Sequence, residues 1–148
     1  MNLITILEAN IIAEHKKHCF IFLSIQKYLI EQHFSWLNLK IVNNDKTLYG
    51  SGLLEINGKD YHIEFYYSPF YKFRYDRIYI KDKSIVYNDK IHLYRDMTLC
   101  LYHPIIDKAK LEIVPLFRMI PWITEWIIFY NQWKTYGVWL GKEIKHTF

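Results

Sequence analysis

Asn57-Gly58 sits between two runs of alternating apolar and polar side chains, and no other pair in the chain constrains the fold as much. Asn-Gly supplies the positive φ that a type I′ turn needs at both central positions, and that turn matches the twist of two antiparallel strands. The run before it, Leu48 to Ile56, carries Gly50 and Gly52, which are expected to mark bulges. The run after it sets Tyr61, Ile63, Phe65 and Tyr67 on one face and Asp60, His62, Glu64 and Tyr66 on the other. Ser68-Pro69 ends it. Upstream, Leu37, Leu39 and Ile41 alternate with Trp36, Asn38 and Lys40 and lead into the turn cluster Asn43-Asn44-Asp45. Downstream, Tyr75 to Lys81 alternates again. The four segments predict an antiparallel meander.

Before the meander the period is helical. Phe22, Ile25, Leu29 and Ile30 recur on one face while Ser24, Lys27 and Glu31 take the others, which predicts an amphipathic helix over 17–32. Residues 3–14 form either a second helix or an extension of the first. Cys19 shares helical spacing with Phe22 and Leu23 and reads as a core residue. After the meander, Ser84 to Lys110 is irregular. Leu111 to Met119 follows, then a helix over Pro121 to Tyr136, with Pro121 in the first turn, where its missing N–H costs nothing. Trp122, Trp126, Phe129 and Trp133 line one stripe, widened by Ile123, Ile127 and Tyr130, and Gly137 reads as the C-cap. The fold class is α+β: an N-terminal helix, a four-stranded antiparallel meander, an irregular segment and C-terminal helices, in a single domain over 1–148.

Length and charge exclude several classes. A chain of 148 residues with 51% hydrophobic side chains can bury one core. A net charge of +4, spread along the sequence, favours a solvated surface over a nucleic-acid site. The interleaved Tyr75, Arg77, Tyr79 and Lys81 could form a stacking platform for single strands, but such alternation is also normal for an exposed sheet face. The most apolar window, Ile113 to Tyr130, contains Arg118, Glu125 and two prolines, so it predicts a buried helix and not a membrane span. No charged leader precedes Lys16, and two unpaired cysteines fit a reducing cytoplasm. No phosphate loop or metal-ligand spacing is present, and no cofactor is predicted. His15 and His18 are three apart, but no carboxylate or cysteine cluster joins them to make a metal site.

The chemistry concentrates in the irregular segment. Leu99-Cys100-Leu101 alone reads as a buried, inert thiol. His92, Asp96 and His103-Pro104 make its surroundings polar, and an imidazole near a thiol can lower its pKa or relay a proton. On residue types alone Cys100 stays open between an inert strand thiol, which those types favour, and a candidate nucleophile with His92 and His103 as candidate supporting groups.

The order of helix, meander, His92, Leu99-Cys100-Leu101 and C-terminal helix resembles the ubiquitin-conjugating (UBC-like) fold. The segment from His92-Leu93-Tyr94 to Leu99-Cys100-Leu101-Tyr102-His103-Pro104 carries a closer resemblance. So does the C-terminal pattern Pro121-Trp122, Glu125-Trp126, Phe129-Tyr130, Trp133 and Gly137 with Trp139. Over roughly residues 17–141 the chain is similar to the stand-alone ubiquitin-conjugating-like proteins of cyclic-oligonucleotide-based antiphage signalling systems, or CBASS.

That resemblance implies an acyl (thioester) transferase. Cys100 would form a thioester with the C-terminus of a cGAS-like nucleotidyltransferase (CD-NTase) encoded beside it, then pass the acyl group to a lysine on a target protein. A non-catalytic binding module for the same partner is the alternative. The chain departs from the family's eukaryotic pattern, because His92 is followed by Leu93-Tyr94 where that pattern has Pro-Asn. The oxyanion donor is then a backbone N–H near Cys100, or the side chain of His92 or His103.

Overall fold

The computed structural model describes residues 3–102 and 113–140. Two helices open the chain, α1 (Leu3–Lys17) and α2 (Cys19–His33), separated by the non-helical backbone of His18 at φ −114°, ψ 40°. Four strands follow, β1 (Leu37–Val42), β2 (Thr47–Ile56), β3 (Lys59–Tyr67) and β4 (Asp76–Ile80). They form one antiparallel sheet in sequence order, the expected meander. A 3₁₀ turn at Asp89–Ile91 and helix α3 (Leu116–Tyr136) complete the described elements.

The hairpin chemistry appears as expected. Asn57 and Gly58 adopt φ of 52° and 79°, and Ile56 pairs with Lys59 across the two-residue loop. Asn43, Asn44 and Asp45 all take positive φ between β1 and β2. The bulges expected at Gly50 and Gly52 do not form: the β2 ladder runs without interruption against both neighbours. These glycines serve close approach instead. A Cβ on Gly50 would lie 2.3 Å from the tip of the Phe65 ring, and one on Gly52 would lie 2.1 Å from the Trp36 carbonyl oxygen.

The core lies between the inner sheet face and the helices α2 and α3. Leu48, Tyr61, Ile63, Phe65, Tyr67 and Ile78 line the sheet side and are buried. On α2 the buried face is Cys19, Leu23, Gln26 and Ile30. The predicted face was rotated from it: Ile25 is exposed and the polar Gln26 is inside. Gln26 is there because its Oε1 accepts the N–H of Phe117 at 3.0 Å, satisfying a donor in the first turn of α3.

Helix α3 begins at Leu116, so Pro121 lies inside the helix and not in its first turn. Gly137 caps it in the left-handed region, with its N–H on the Trp133 carbonyl. The buried stripe is Ile120, Ile123, Trp126, Ile127 and Tyr130, whereas Trp122, Phe129 and Trp133 flank it half-buried. No described helix is long and apolar enough to cross a membrane.

Candidate functional site

The segment from His92 to Cys100 is a miniature hairpin. Asn88 Oδ1 accepts the N–H of Lys90 at the start of the 3₁₀ turn, and His92 ends that turn in the left-handed region at φ 56°. The Tyr94 N–H donates to the Thr98 carbonyl, and the Met97 N–H to the Tyr94 carbonyl, each at 2.9 Å. Met97 takes φ 71° to close the turn. Leu93 and Leu99 form an isolated antiparallel bridge, and the Cys100 N–H donates to the His92 carbonyl at 2.9 Å. One further bond, from the Leu99 N–H to the Ile78 carbonyl at 2.8 Å, pins the hairpin to the edge of β4. An irregular stretch of sequence is thus held by the same backbone bonds that make a sheet.

Aromatic residues of α3, and Trp139 just beyond its end, back the hairpin. The Trp126 Nε1–H donates to the carbonyls of Ile91 (3.0 Å) and His92 (3.2 Å), the turn that ends in the left-handed residue. Trp126 stacks on Tyr130 with centroids 5.1 Å apart, and Trp139 lies 4.9 Å from the His92 ring. The C-terminal aromatic pattern therefore positions the site as well as filling the core.

Cys100 is 2% exposed. Burial pushes its thiol up to about 11, because the interior disfavours the charged thiolate. The Tyr94 phenol and the positive charge of Arg74 pull the other way, and the Asp76 carboxylate adds to the rise. The thiol itself donates to the Tyr102 carbonyl at 3.6 Å. At neutral pH the resting sulfur is a protonated thiol.

Arg74, at 6% exposure, and Asp76, at 0%, organise the polar groups around this sulfur. The Arg74 guanidinium donates to the Asp76 carbonyl at 2.7 Å, to Asp76 Oδ2 at 3.3 Å and to Thr98 Oγ1 at 2.7 Å. It also lies 3.5 Å above the centre of the Tyr94 ring. Asp76 Oδ1 accepts the Tyr102 hydroxyl at 2.6 Å. Asp96 Oδ1 accepts both the N–H and the hydroxyl of Thr98. A buried ion pair of this kind is tolerated because both Asp76 carboxylate oxygens and both terminal nitrogens of Arg74 have hydrogen-bond partners.

The structure brings Cys100 and His92 together through the backbone, and places the His92 ring against Trp139. His103 lies outside the described residues. Tyr94, Arg74, Asp76 and Tyr102 were missed from the sequence. One signal pointed to them: Asp76 falls on the inner side of its strand, in register with Tyr67 and two residues from Ile78, where an acid needs a partner.

The stacking-platform face forms only in part, since Arg77, Tyr79 and Lys81 lie on the outer side of the sheet without Tyr75. Tyr75 is buried, Arg77 donates to the Arg74, Asp76 and Lys72 carbonyls, and Lys81 pairs with Glu64. Among the described residues no cluster of His, Cys, Asp and Glu could hold a metal ion.

No curated protein matches the chain. The sequence model of one family, described as Type II CBASS E2 protein, matches residues 26–147, a span that includes the meander, the Cys100 hairpin and the aromatic helix. The chain belongs to that family, and with it to the conjugating-enzyme-like proteins of antiphage defence.

Proposed function

We propose that this protein is a UBC-like acyl carrier in which Cys100 forms a thioester with the C-terminus of the cGAS-like nucleotidyltransferase of its system and hands it to a target lysine. The observation that carries this reading is the position of Cys100. Its hairpin is fixed to β4 by the Leu99 bond and braced by Trp126, and it carries the Tyr94 phenol with the Arg74 guanidinium on its ring.

The donor is an activated acyl group, a thioester or an acyl adenylate at the partner's C-terminus. The Cys100 sulfur attacks its carbonyl carbon, the carbon–sulfur bond forms and the donor's leaving group departs. The thiol proton leaves with that group or to solvent. In the second step a neutral lysine amine attacks, the carbon–nitrogen bond forms, the nitrogen gives up one proton to solvent, and sulfur departs with the electron pair of the broken carbon–sulfur bond. His92 and His103 are the proposed supporting groups, His92 through the turn that anchors the Cys100 N–H.

The partner is co-expressed with the protein and the products are run on gels with and without reductant. A thiol-sensitive adduct is expected in the wild type and absent in Cys100→Ala. An adduct that persists in that variant sinks the assignment.

The burial of Cys100 favours one second reading, a binding module that recognises the same partner without acylation. It predicts partner affinity unchanged by Cys100→Ser and no adduct under any condition.

A further inference from the structure

We propose that the Tyr94 hydroxyl is the donor that stabilises the Cys100 sulfur as a thiolate, with Arg74 as the residue that positions it. This rests on Cys100 being the acyl carrier.

Both steps at such a cysteine place negative charge on sulfur. The thiol must lose its proton to attack, and the sulfur leaves as a thiolate when an amine resolves the thioester. In a buried site that charge needs a preorganised donor. The backbone groups leading up to the sulfur are already engaged. The N–H of Thr98 is held by Asp96, that of Leu99 by Ile78, and that of Cys100 by His92. A side chain can serve as the donor, and the hairpin register offers one: Tyr94 pairs with Thr98 and Cys100 with His92 on either side of the Leu93–Leu99 bridge, so the Tyr94 and Cys100 side chains leave the same face of the hairpin.

Arg74 fixes that phenol. Its guanidinium is anchored to Asp76 at the start of β4 and to Thr98 on the hairpin, and lies 3.5 Å over the Tyr94 ring. A cation on the ring face draws electron density from the phenol and makes its O–H a stronger donor. Burial and the neighbouring Cys100 hold the Tyr94 hydroxyl in its protonated form, so it keeps its proton and gives only a hydrogen bond. The thiol proton goes to the donor's leaving group or solvent, as above.

The test is alkylation of the full chain by iodoacetamide, read peptide by peptide by mass, because alkylation needs the thiolate but no acyl donor. Cys19 serves as the internal reference. In Tyr94→Phe, Cys100 is expected to react about tenfold more slowly between about pH 8 and 10, the effect of one hydrogen bond to a charged group. Cys19 should be unchanged. With 3-fluorotyrosine at position 94, a stronger donor of the same shape, Cys100 should react faster than in the wild type. A Phe variant that reacts at the wild-type rate, or that slows at both cysteines, overturns the assignment. So does a fluorotyrosine protein no faster than wild type, and that arm stands alone if Tyr94→Phe fails to fold. The thioester adduct is scored separately, so Tyr94 can fail while the acyl carrier stands, and the reverse.

Discussion

Cys100 and His92 meet through their main chains: the Cys100 N–H donates to the His92 carbonyl at 2.9 Å, while the His92 ring lies against Trp139. That carbonyl also accepts from the Trp126 indole at 3.2 Å. The position of Cys100 thus depends on a left-handed turn clamped from behind by a tryptophan of α3.

Trp126→Phe keeps an aromatic ring against Tyr130 and removes the indole N–H from the Ile91 and His92 carbonyls. Two buried acceptors lose a donor, at a cost of about 1–3 kcal/mol. The urea midpoint should fall with an unchanged m-value. An unchanged midpoint would show that the turn does not need the clamp.

Gly50→Ala forces a Cβ to within 2.3 Å of the Phe65 ring as built, so the ring or strand must shift. Overpacking of this kind costs about 1–3 kcal/mol. Adding Phe65→Leu should make the pair less destabilised than the sum of the two single variants, since they share the same space. Strict additivity in denaturation would contradict the close-approach role.

Asp76→Asn leaves the buried Arg74 charge with only the half-exposed Asp96 carboxylate at 3.8 Å and replaces the charged acceptor of the Tyr102 hydroxyl with a neutral one. Breaking a buried pair on one side costs about 3–5 kcal/mol. Thermal melting should show it, and Glu64→Gln, which breaks the more exposed pair with Lys81, should cost under about 1 kcal/mol. Equal effects would mean that the Arg74 pair contributes no more than a surface one.

Stability should also depend on alkaline pH through Cys100. Its folded value, about 11, lies above the ordinary 9.0. Over that window the native thiol keeps its proton while the unfolded one has lost it. The stability due to the neutral thiol is therefore complete below about pH 9 and falls as pH climbs toward 11. Between about pH 8 and 10.5, Cys100→Ala should lose roughly 1–2 kcal/mol less than the wild type. Parallel losses in the two proteins would place the titration elsewhere.

The meander was legible because Asn57-Gly58 and the alternating runs act locally, through turn sterics and side-chain period. The face of α2 was not. Gln26 is buried for a single bond to Phe117, ninety-one residues away, and hydrophobic spacing carries no trace of such a bond. Gly50 and Gly52 misled for a related reason: what demands them is the Phe65 ring and the Trp36 carbonyl, partners supplied by packing. Cys100 and His92 stood out as residue types. Arg74, Asp76, Tyr94 and Tyr102 did not, because only the docking of the hairpin on β4 gathers them around one sulfur.

The most direct measurement replaces the sulfur. Cys100→Ser converts the linkage to the partner from a thioester into an oxygen ester, which thiols do not cleave and hydroxide does. With the nucleotidyltransferase co-expressed, the wild-type adduct should disappear on thiol treatment. Any adduct of Cys100→Ser should survive thiol and be lost in alkali. A thiol-labile adduct that forms undiminished in Cys100→Ser would place the acyl group on another residue, Cys19 first, and contradict Cys100 as the carrier.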